Sequence, residues 1–166
     1  ATTSIFPSDE VVRRFFIDEG REEDWTPLAP DPDAEYDGVI DIDLSALEPL
    51  VAMPDMPDKV APARSCKGVK INQVFLGSCT NASYTDFAKA AAILEGHKVN
   101  PWVSFVAAPG SRQLYLMLLR DGIIEKLVLA GARILECGCG ACCGIGQAPN
   151  TGGISLRTSN RNFKGR

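Results

Sequence analysis

The stretch "INQVFLGSCTNASYTDFAKAAAILEG", Ile71 to Gly96, joins a short apolar run to an amphipathic segment through a turn of small polar residues. A run of this length ending in glycine suits a buried strand, and the segment from Ser83 onward has the length and apolar spacing of a helix. The pattern continues downstream. "PWVSFVAAPG" (101–110) reads as a strand, "SRQLYLMLLRDG" (111–122) and "IIEKLVLAGA" (123–132) as helices, and "RILECG" (133–138) as a strand. Strands separated by helices imply right-handed crossovers and a parallel sheet covered on both faces. The expected fold is a three-layer α/β/α domain with a mainly parallel sheet, its core spanning residues 70–166.

Sheets of this kind bind ligands beyond the carboxyl ends of their strands. "GSCTN" (77–81) follows the first strand, "APGS" (108–111) the second and the cysteine-rich segment 137–143 the third, so all three are expected to open onto one edge.

Upstream the chain is less regular. "DEVVRRFFIDEG" (9–20) reads as a short helix with Ser8 as its cap and Gly20 as its stop. Prolines then recur at 27, 30, 32, 49, 54, 57 and 62, interrupted by "GVIDIDLS" (38–45), whose alternation suits a half-buried strand. Residues 1–69 are thus expected to form a short helix and a Pro-rich irregular arm of the same domain. The start at Ala1 and the polar stretch before Arg166 read as a fragment of a larger multidomain protein.

A chain of 166 residues buries roughly 70% of its unfolded surface and needs no cysteines to hold it together. Its 17 basic and 21 acidic residues give a net charge of −4, which offers no basic surface for nucleic acid. The absence of an apolar run of signal-peptide or spanning length argues against a membrane partner and for a cytoplasmic chain. In a reducing compartment, clustered thiols argue for metal or redox chemistry rather than a disulfide framework.

Four of the six cysteines lie within "CGCGACC" (137–143). Cys139 and Cys142 have the C-x-x-C spacing that lets two thiolates grip one metal centre, and Cys79 could join them from a neighbouring strand. Taken alone, the cysteines admit a metal or cluster, a redox dithiol, or inert buried thiols. Structural zinc takes four closed ligands, whereas three thiolates can hold an iron–sulfur cluster with one iron open. His97, the only histidine, reads as a solvated loop residue, and the apolar positions of "LYLMLL" read as core.

The motifs "GSCTN" (77–81), "PGS" (109–111), "CGAC" (139–142) and "SNRNFKGR" (159–166) resemble the large catalytic chain of the aconitase family. The opening "ATTSIFP" and "YDGVIDIDLSALEP" (36–49) are similar to it as well, so the resemblance covers the whole chain in order. It implies that Cys79, Cys139 and Cys142 are ligands of a 4Fe-4S cluster, and that Asn160, Arg161 and Arg166 line the substrate pocket. An arginine fork grips a carboxylate through two parallel hydrogen bonds, which suits that task. Thr80, Asn81 and Ser111 would stand behind these groups, capping helices and donating toward the cluster; Ser83 is a further cap. Cys66, Cys137 and Cys143 have no ligand role in the family pattern.

The family's enzymes dehydrate and rehydrate a hydroxylated di- or tricarboxylate, as in citrate and isocitrate interconversion through cis-aconitate. The resemblance places the acid and base residues in segments outside this sequence. Its implied partners are therefore the remaining domains of the parent enzyme and the small-molecule substrate, and the fragment alone is expected to be inactive. A cluster so exposed would be lost in air, leaving empty cysteines or a disulfide. "ATTS" and "CGAC" followed by "GIGQ" favour an aconitate hydratase, with isopropylmalate or homoaconitate dehydratase as the alternative. Readings of other classes are an RNA-binding form without its cluster, disfavoured by the charge, and a local zinc or redox site of Cys137, Cys139, Cys142 and Cys143.

Overall fold

A computed structural model describes residues 4–160 and 162, which fall into two compact units, one up to Leu47 and one from Glu48. In the first unit, α1 (Glu10–Asp18) is capped by Asp9, whose carboxylate accepts from the amides of Val11 and Val12. The cap expected at Ser8 thus lies one residue later: the Asp9 side chain has the reach for these two amides. Gly20 turns the chain at φ +68° beyond it.

The strand expected at "GVIDIDLS" is not formed. Residues 38–43 are irregular, and a single 3-10 turn follows at Leu44–Ala46, capped by Asp43 through the amide of Ser45. Val39 and Ile40 are 78% and 88% exposed. Alternation alone makes no strand without a partner for its backbone groups, and none pairs with this segment among the described residues.

The second unit begins with a small antiparallel ribbon of β1 (Leu50–Ala52) and β2 (Val60–Pro62). Then comes the expected alternation: β3 (Gln73–Gly77), α2 (Tyr84–Leu94), β4 (Ser104–Ala108), α3 (Arg112–Arg120), α4 (Ile123–Ala130) and β5 (Arg133–Ile134). A further strand, β6 (Ser155–Arg157), was not foreseen; three residues of mixed polarity carry too little pattern to announce a strand. The sheet order is β5-β4-β3-β6 and every pairing is parallel, which makes this an α/β domain.

This order dictates where the layers fall. The steps from β3 to β4 and from β4 to β5 move in one direction, so right-handed crossovers put α2, α3 and α4 on the same face. There Phe87 and Ala91 of α2, Leu118 of α3 and Ile124 and Leu127 of α4 pack on Leu76, Phe105 and Ala107. The step from β5 to β6 runs the other way and crosses the opposite face. Its cover is the cysteine-bearing segment rather than a full helix: Ala141 and Cys142 pack on Phe75, Val106 and Ala108. Among the described residues no helix is long and apolar enough to cross a membrane.

Candidate metal and substrate site

Parallel strands end together, so the segments leaving Gly77, Ala108, Ile134 and Arg157 share one edge of the sheet. Each expected site residue within the described chain lies on one of them. Cys79 follows β3, Ser111 follows β4, Cys139 and Cys142 follow β5, and Asn160 follows β6. Arg161 and Arg166 lie outside the described residues.

The turn after β3 is set by backbone before side chains. Gly77 has φ +141°, and a Cβ there would collide with the carbonyl oxygen of Ala108, so only glycine lets the two strands approach this closely. Ser78 has φ +105°, a conformation costly for a residue with a side chain. Its buried hydroxyl offsets part of that cost by accepting from the amides of Thr80 (3.3 Å) and Asn81 (3.5 Å). The outcome is an exposed Cys79, whose sulfur lies 3.5 Å from the Thr80 hydroxyl.

Thr158 laces this turn to the segment after β6. Its hydroxyl accepts from the Gly77 amide at 2.9 Å and donates to the Gly77 carbonyl at 3.1 Å, while Asn81 donates to the Thr158 carbonyl at 2.5 Å. Asn81 is thus a tie between two segments rather than a helix cap. Capping falls to Ser83 alone, in a reciprocal box with Asp86. Ser111 caps α3 through the amide of Leu114 at 3.1 Å.

In the segment after β5, Ala141–Cys143 form a 3-10 turn that stops at Gly144, φ +82°. The Cys143 amide donates to the carbonyls of Cys139 and Gly140, both at 3.1 Å. Cys139 is exposed, and Cys142 is half-buried against Phe75, Val106 and Ala108. All six cysteines are free thiols. His97 is exposed beyond α2, toward the opposite end of the strands, and Cys66 sits beside Met53 with its sulfur 3.8 Å from the thioether.

Arg157, which the sequence reading did not single out, reaches under this turn. It donates to the carbonyls of Cys142 (3.1 Å) and Ala141 (3.2 Å) and to Ser155 Oγ (3.0 Å), with its guanidinium 5.6 Å from the Phe75 ring centre. Burial lowers its pKa from the usual guanidinium value.

Whether these residues suit an iron–sulfur cluster turns on the donor set. Three thiols, on segments leaving β3 and β5 at one edge, with no histidine near them, have the soft-ligand chemistry that such clusters take. Among the described residues, however, no three His, Cys, Asp or Glu side chains are gathered into a metal-holding group. The donor chemistry fits, and the thiols are presented on one edge rather than already converged. Beside Asn160, the buried Ser159 hydroxyl has no hydrogen-bond partner among the described residues.

Compared with known proteins, the chain matches the family model described as "Aconitase family (aconitate hydratase)" over residues 1–166. It belongs to the aconitase family. It is 43% identical over 167 residues to the 3-isopropylmalate dehydratase large subunit 2 of Archaeoglobus fulgidus, covering 100% of this chain and 40% of that protein. It is 44% identical over 169 residues to the 3-isopropylmalate dehydratase large subunit 1 of Thermotoga maritima, with the same coverage. The homoaconitase large subunit of Thermus thermophilus is 42% identical over 165 residues, 98% of this chain and 37% of that protein. The chain therefore spans about two fifths of the length of these relatives.

Proposed function

We propose that this chain is the cluster-bearing part of an aconitase-family hydro-lyase whose substrate is 3-isopropylmalate, with the homoaconitase substrate as second choice. The observation that carries this reading is the identity above 40%, over the whole of this chain, to proteins named as 3-isopropylmalate dehydratase large subunits. The motif-based preference for aconitate hydratase gives way to it, because the relatives' names favour the alternative.

Cys79, Cys139 and Cys142 would hold a 4Fe-4S cluster, which when bound supplies an open iron as Lewis acid for loss of a hydroxyl group. The chain's own residues do the rest of the local work. Thr158 and Asn81 keep the Cys79 turn beside the Asn160 segment. Asn160, Arg161 and Arg166 would orient substrate carboxylates, the arginines by paired hydrogen bonds. Proton transfer falls to the remaining domains of the parent protein and to a small subunit, so this span alone would bind without turnover.

The test is anaerobic production of the full-length protein with its small subunit, reconstitution with iron and sulfide, and dehydration assays on 3-isopropylmalate, the homoaconitase substrate and citrate. About four irons and four sulfides per large chain, lost in Cys79→Ser, with turnover on 3-isopropylmalate, are expected. Turnover on citrate alone would restore the aconitate hydratase reading. One zinc held independently of Cys79 would instead mean a local thiol site.

A further inference from the structure

A part-buried polar network lies under the cysteine turn, on the sheet face that carries Phe75, Val106 and Ala108. Gln73 is fully buried, and its register partner Ser155 donates to its side-chain amide oxygen Oε1 at 2.6 Å. Arg157 pairs in register with Phe75, so its side chain leaves the sheet on the same face. Burying a guanidinium there is costly unless its donors are used, and they are used on Ser155, Ala141 and Cys142, with Gln73 Oε1 at 3.5 Å.

Among the described residues, the cysteine segment is fastened elsewhere only near its ends. The Leu135 amide donates to the Ala107 carbonyl at 2.8 Å, and Gln147 donates to Ser104 Oγ at 2.8 Å while its carbonyl accepts from Gln73 at 3.4 Å. Between those ties the turn has apolar contact and, among the described residues, a single polar fastening to the sheet, Arg157.

We propose that Arg157 is a positioning residue: its planar fork holds the successive carbonyls of Ala141 and Cys142 to the sheet and so fixes the direction in which Cys139 and Cys142 present their thiols. A guanidinium suits this task because two donors in a rigid plane match two neighbouring carbonyls, whereas an ammonium offers one point. Which group those thiols receive rests on the function proposed above; the clamp itself rests only on the contacts.

The experiment uses the full-length protein stripped of metal, alkylated with iodoacetamide, with the modification rate at each cysteine read by mass spectrometry. Arg157→Met is expected to raise the rate at Cys142 about tenfold relative to Cys66, as the loss of charge-assisted hydrogen bonds frees the turn. Arg157→Lys is expected to restore less than half of the protection, and Arg157→Gln serves if the methionine variant does not fold. An unchanged ratio of Cys142 to Cys66 would overturn the proposal, as would full restoration by lysine. So would a rise common to both thiols, which reports general loosening. Iron counts on the reconstituted wild-type protein separate the two readings: no iron would sink the cluster assignment and leave the alkylation result to judge Arg157.

Discussion

At Gly77 the chain leaves the sheet through a conformation that a side chain would both strain and obstruct. Gly77→Ala is expected to cost about 3 kcal/mol or more, read as a lower urea midpoint or loss of soluble protein; a midpoint within error of the wild type would disprove it. A glycine ending an apolar run is visible in a sequence, and so are the thiols at Cys79, Cys139 and Cys142. The roles of Ser78, Thr158 and Arg157 were not. Each depends on what lies across a turn or the sheet: Thr158 meets Gly77 from 81 residues away, and no local pattern records that meeting.

Among the elements, α2 is the most self-sufficient. Its Ser83–Asp86 box satisfies amides at the helix start, so Ser83→Ala is expected to cost about 1 kcal/mol, measured by thermal melting at pH 7. The Ser83 hydroxyl, and then its amide, hold the Asp86 carboxyl below its ordinary value. That stabilisation is complete above the carboxylate's unfolded pKa, about 3.9, and is lost as pH falls through the lowered folded value. The gap between wild type and Ser83→Ala should therefore narrow in melts taken below that range to the share carried by the Ser83 hydroxyl's bond from the Asp86 amide, and a gap that does not narrow would contradict the mechanism. The four α-helices and the two five-residue strands were legible because apolar spacing agrees with the capping residues or glycines that bound them. "GVIDIDLS" misled because its spacing said strand while nothing within the described chain pairs with it. β6 was missed for the opposite reason: it has partners but almost no pattern.

At the scale of the sheet, the crossover directions assign each face a task, with structural helices on one and the thiol turn on the other. Leu127, fully buried on the helical face, should cost about 3 kcal/mol when cut to alanine, lowering the denaturant midpoint while the native-state alkylation ratio of Cys142 to Cys66 stays at its wild-type value. A changed ratio would show that the faces are coupled. Convergence of distant motifs on one edge could be read from the sequence because parallel strands end together; the clamp beneath the cysteines could not, since it comes from a strand that the pattern did not announce. The position of that strand also imposes an order in time. β6 is the last of the described strands of the sheet to be made, and Arg157 leaves the ribosome 15 residues after Cys142. At 5–20 residues per second, the thiols are in solution for about one to three seconds before their clamp emerges. The strand that carries the clamp is also the one that ends this interval, so the newborn chain offers its sulfurs first and fixes them afterwards.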